Sequence, residues 1–190
     1  LFCAMAEAQQ TELQRIVAPP PPDGNPYYNF DVGGAVAISD DWAAVADRTV
    51  DDSFGEVYMY RRTSSGWAFR QRLLGEFHSG FGGALAIEGS TLIVGGRAWG
   101  GDLGKVYVFE WTGATWTKMQ EIVPDGMSDS VLPRFGQAVA LHGDVLVVGA
   151  PEVDHPVENG GEVRVYERTM GVWEPIARFQ LPPIQEVFDN

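Results

Sequence analysis

The chain has 190 residues, 45% of them hydrophobic and 12% aromatic, which is enough to bury a core and too apolar for a disordered segment. Its formal net charge of −13 works against a nucleic-acid partner, whose phosphates require clustered Lys and Arg, and favours solubility or a cationic partner. Cys3 is the one cysteine, so no internal disulfide forms, and no apolar run approaches the ~18 residues of a membrane-spanning helix.

The chain opens with LFCAMA, in which Ala4-Met5-Ala6 has the small-x-small pattern that closes a secretory signal. Residues 11–18, TELQRIVA, read as a strand. Their Gln14-Arg15-Ile16-Val17 is echoed by Gln71-Arg72-Leu73-Leu74 and by Gln120-Glu121-Ile122-Val123. Both later copies fall in the fourth strand of a repeat, so residues 1–18 are expected to carry a lone outer strand. Residues 19–31 are a Pro-rich connector, where fixed φ and missing N–H donors interrupt regular structure.

Three copies of one unit follow. VGGAVAISDDWAAVAD begins the first at Val32, FGGALAIEGSTLIVGG the second at Phe81, and FGQAVALHGDVLVVGAP the third at Phe135. Each reads as two short strands around a tight turn, then a third strand, then a fourth that contains a tryptophan. The expected strands are 34–38, 42–46, 56–60 and 67–73 in the first unit. They are 83–87, 92–95, 105–109 and 116–122 in the second, and 137–141, 145–149, 162–166 and 173–179 in the third. Gly34 and Gly83 are 49 residues apart and Gly83 and Gln137 are 54 apart, close to the period of a propeller blade. The blades are placed at 32–74, 81–123 and 135–181, with a further repeat starting in 182–190, where Phe188-Asp189 echoes Phe30-Asp31.

The strands differ in character. The first two of each unit are small and apolar on both faces, as expected of strands covered on both sides. The third alternates, and the fourth is more polar and admits Pro175, as an edge strand does. Together these describe a wedge, so the expected fold is all-β, with three four-stranded antiparallel blades forming part of a larger propeller. Val108 and Val147 are expected to be fully buried. Both ends look cut from a repeating array, leaving apolar faces for further chain, a second copy or another subunit to complete.

Phe135-Gly136 with Gly149-Ala150-Pro151, and Phe81-Gly82 with Gly95-Gly96, resemble FG-GAP repeats. These are the blades of integrin α-subunit propellers and of many bacterial surface proteins. The first unit keeps only Val32-Gly33 and Ala46-Asp47. The segments 104–109 with Trp116, and 161–166 with Trp173, resemble the bacterial short-hairpin form. A kelch-like propeller is the rival resemblance. In the calcium-binding members of the family an Asp-rich loop joins the two inner strands. Here that loop has shrunk to residues 39–41, 88–90 and 142–144, too short to supply the six to eight oxygens of a Ca²⁺ site. No metal or cofactor is therefore expected.

The three histidines lack metal-ligand spacing, and no nucleophile elbow, phosphate loop or HExxH motif occurs. No catalytic residue is assigned and the chain is expected not to be an enzyme. The longer connections carry the candidate contacts Tyr27, Tyr28, Trp99, Met127 and His155, because function concentrates on long loops held by a rigid frame. The resemblance implies a binding, adhesion or scaffolding module at the cell surface or outside the cell, with a protein or glycan partner. An accessory propeller of a secreted hydrolase and a structural subunit of a large assembly are the alternatives.

Overall fold

The computed structural model describes residues 31–48, 54–97, 103–125, 133–154 and 160–180. Twelve strands and no helix occur among them. The first sheet contains β1 (Val32–Ser39), β2 (Trp42–Asp47), β3 (Glu56–Thr63) and β4 (Gly66–Leu74). The second contains β5 (Phe81–Glu88), β6 (Thr91–Gly96), β7 (Lys105–Trp111) and β8 (Trp116–Ile122). The third contains β9 (Ala138–His142), β10 (Val145–Ala150), β11 (Glu162–Thr169) and β12 (Val172–Gln180). Each sheet is an antiparallel meander in sequence order.

The sheets lean on one another through their first strands: β1 packs on β5, and β5 on β9. Two cores lie between the sheets rather than within any one of them. Ala44, Val57, Met59 and Leu73 of the first sheet meet Phe81, Leu92, Tyr107, Phe109 and Trp116 of the second. Ile93, Val106, Val108 and Ile122, on the opposite face of the second sheet, meet Phe135, Leu146, Val148, Tyr166 and Trp173 of the third. A sheet covered on both faces needs no polar alternation, and β6 is buried along its whole length.

The expectation of double coverage fails elsewhere. In β1, Val36 and Ile38 are 66% and 69% exposed, because no sheet among the described residues lies against that face. In β10, Val147 is half-buried while Leu146 and Val148 are buried, so the expectation for Val147 is wrong and that for Val108 is right. Val147 points to the open face of the third sheet. Local sequence cannot distinguish it from its neighbours.

The glycine that precedes the third strand of the first two sheets has a steric explanation. Gly55 and Gly104 precede the third strands, with φ of +70° and +85°, and the carbonyls of Phe81 and Phe135 press into the space where a Cβ would stand. Only glycine allows that approach at that φ. Phe135 N–H also donates to the carbonyl of Leu103 at 3.1 Å, stitching the third sheet to the second.

Candidate functional site: the blade junctions and the long-connection edge

Register divides each sheet into two unlike edges. Ser39 pairs with Trp42, Glu88 with Thr91 and His142 with Val145, so the inner hairpins close in two-residue turns. The turns from third to fourth strand share this edge, and the connections from second to third strand and from sheet to sheet gather at the other. Tyr27, Tyr28, Trp99, Met127 and His155 all lie outside the described residues. The lone outer strand expected in 11–18, the connector and residues 181–190 lie outside them too.

At the long-connection edge, one ionisable residue starts the third strand of every sheet. Glu56 is buried and pairs with Arg72 at 3.2 Å. Beside it, burial and a hydrogen bond to Glu56 push the Tyr58 hydroxyl well above the usual tyrosine value. Lys105 pairs with Glu76 at 3.2 Å, and that hydrogen bond holds the Glu76 carboxyl below the ordinary carboxylate range. Glu162 is buried with Arg164, which also bonds Asp125 through its side chain and, at 2.7 Å, through its carbonyl. Burial opposes the Arg164 charge, but the hydrogen bond and charge of Glu162, with Tyr166 and Asp125, together outweigh it and raise the guanidinium value. These charges are spent on one another. Among the described residues no three His, Cys, Asp or Glu side chains converge as a metal site would require.

Next to Glu162 the third sheet has a cavity of about 530 Å³ on its open face, lined by Ala138, Gly149, Pro151, Val163 and Phe179 with Gln137 and Gln180. The buried Oε1 atom of Gln137 has no hydrogen-bond partner among the described residues. The small residues of the Gly-Ala-Pro motif leave this space, because no bulky side chain fills it.

Sequence inspection missed a second device. Gln71 Oε1 accepts the Trp116 main-chain N–H at 2.7 Å, and Gln71 Nε2 donates to the Trp116 carbonyl at 2.8 Å. Gln120 repeats this on Trp173 at 2.8 and 2.9 Å. Each glutamine of one fourth strand thus holds the edge of the next fourth strand in both directions. A bulge makes it possible. The register shifts between Met59 and Tyr60, between Val108 and Phe109, and between Val165 and Tyr166. The extra residue on the fourth strand flips the alternation and turns the glutamine toward the following sheet. At the tight-turn edge a second link recurs: Gly89 N–H donates to Ser39 Oγ at 3.0 Å, and Gly143 N–H to Glu88 Oε2 at 2.7 Å. The repeated Gln-Arg and Gln-Glu pairs were visible as similarity between fourth strands, but the role of the side chain was not.

Wedge-like antiparallel sheets joined first strand to first strand define a β-propeller-like repeat protein. Residues 116–166 match the FG-GAP repeat family, a stretch that runs from β8 into β11 and contains Phe135-Gly136 and Gly149-Ala150-Pro151. This match and the three four-stranded antiparallel sheets fit an FG-GAP β-propeller-like repeat protein. Repeats of this kind build domains of the binding and adhesion type and are typically extracellular. No curated protein matches the chain. No helix among the described residues is long and apolar enough to cross a membrane.

Proposed function

We propose that this protein is a binding or scaffolding module that works by contact rather than by turnover, at the cell surface or outside the cell. It holds a protein or glycan partner on its long-connection edge. The observation that carries this reading is the asymmetry of the sheets. One edge is closed by two-residue turns, and at the other the third strands begin with internally paired charges, next to where the long connections leave the sheets. A rigid frame with variable connections on one edge suits recognition, and paired charges are poorly suited to general acid or base work. The aromatic residues in these connections, Trp99 above all, are the contacts we assign to the partner.

A glycan array and a panel of extracellular-matrix proteins, probed with the 190-residue chain and with Trp99→Ala, test this. The expected result is a bound class that Trp99→Ala weakens about tenfold or more at an unchanged melting temperature. Equal binding by both proteins would remove Trp99 from the site. Release of sugar from the glycans would favour turnover over binding.

A further inference from the structure

The connection from β4 to β5, residues 75–80, is held at several points. Gly75 N–H donates to the Gly55 carbonyl at 3.0 Å, and Ser79 N–H closes a turn on the Glu76 carbonyl at 3.1 Å. The buried Ser79 reaches the Phe54 carbonyl through Oγ at 3.4 Å. The Glu76 carboxylate is fixed by Lys105 at 3.2 Å and by Lys118 at 3.5 Å. At the tip His78 stands at φ +57°, a conformation that glycine takes more easily than histidine. There the rings of Phe77 and His78 stack at 3.7 Å with 23° between their planes, and Phe54 tilts against Phe77 at 5.3 Å. Burial does not account for this cluster. Phe77 is 55% and Phe54 36% exposed, and His78 is exposed as well. Single exposed aromatic residues are ordinary, whereas three rings in mutual contact on a fixed turn form a platform.

The charges around this turn narrow what the platform fits. Glu76 pairs with Lys105 and Lys118, and both lysines also reach Glu121, so two positive and two negative groups stand together with no net charge. Their side chains are 30% to 49% exposed. A neutral cluster gives a charged partner no net attraction, and the overall charge of −13 repels an acidic one. A dry protein interface would strip water from all four charges, at a cost. A neutral sugar avoids that cost. Its hydroxyls both donate and accept, so they replace the lost water in kind, and its C–H groups meet the negative face of an aromatic ring. We propose that Phe54, Phe77 and His78 form a stacking platform for a pyranose ring of a neutral glycan, whose hydroxyls are met by Glu76, Lys105 and Lys118. This rests on the reading of the long-connection edge as the binding edge and narrows its partner to an uncharged sugar.

Calorimetric titration of the 190-residue chain tests this, with unbranched neutral hexaoses of glucose, mannose and galactose as probes and a heparin hexasaccharide as the acidic counterpart. At least one neutral hexaose is expected to bind, and the heparin fragment is not. Phe77→Ala should weaken that binding about tenfold or more, while Phe77→Tyr, which keeps the ring, should hold it within about twofold. His78→Gly removes a ring and suits the backbone, so it should weaken binding at a melting temperature close to that of the wild type. That split separates loss of contact from loss of fold. Equal binding by the wild type, Phe77→Ala and His78→Gly overturns the platform. If Trp99→Ala still weakens binding in that case, the binding edge stands and only the platform falls. Failure of all three neutral hexaoses to bind, or tighter binding of the heparin fragment, overturns the neutral glycan. A matrix protein whose binding Phe77→Ala weakens would put a protein partner on the patch and overturn it too.

Discussion

The face that the second sheet turns to the third and the face that the third sheet leaves open are built on one plan. Val106 pairs with Ile122 in the second sheet, and Val163 pairs with Phe179 at the same place in the third. Ile122 is 5% exposed and Phe179 is 61% exposed. Residue type does not explain the difference, since phenylalanine is the larger apolar side chain. A neighbouring sheet lies against one and none among the described residues lies against the other. Burial in this protein is therefore a property of the junction rather than of the strand.

The comparison breaks most sharply at those two residues. Ile122→Ala should cost about 2–5 kcal/mol by leaving a cavity between two sheets, and Phe179→Ala less than about 1 kcal/mol. Urea titration of both variants measures this. Equal losses would mean that something covers the open face in solution.

The clamp comes next in size. Gln120→Ala leaves the Trp173 N–H and carbonyl without the partners they have at the junction, which should cost about 1–3 kcal/mol. Ala177→Gln, which installs the same side chain on the open face, should change stability by no more than about 0.5 kcal/mol. Thermal melts of the two variants decide. A stabilising Ala177→Gln would show that the open face already meets a strand edge.

The smallest effect concerns the ion pairs behind the second sheet. The Lys105 hydrogen bond lowers the Glu76 value, so this pair stabilises above the unfolded carboxylate value and the gain is lost as pH falls through the depressed one. Lys118, bonded to Glu121 and paired with Glu76, is raised. Its share is complete below the ordinary lysine value and is lost as pH rises through the raised one. Glu76 is about half exposed, so screening limits the effect to a few tenths of a kcal/mol. Melting curves of the wild type and Glu76→Gln should converge in acid and separate slightly at neutral pH, and added salt should close the gap.

Much of the fold was legible in the residues. Each of the twelve expected strands overlaps an observed one, because turn residues such as Gly89 and Gly143 and the recurrent tryptophans mark strand ends locally. The two-residue turns were legible for the same reason. Val147 was misjudged, since an apolar run looks alike whether its second face is covered or bare. The clamp was only half legible: glutamine in a polar fourth strand looks like surface until the bulge turns it inward.

What the sequence by itself determined is the repeat: where strands begin and end, and which turns are tight. These follow from backbone sterics and hydrogen bonding within a few residues. The tertiary structure decided which apolar faces are buried, why Gly55 and Gly104 must be glycine, and what Gln71 and Gln120 hold. Each of these depends on atoms of the next sheet, distant along the chain and brought near only when the sheets stack.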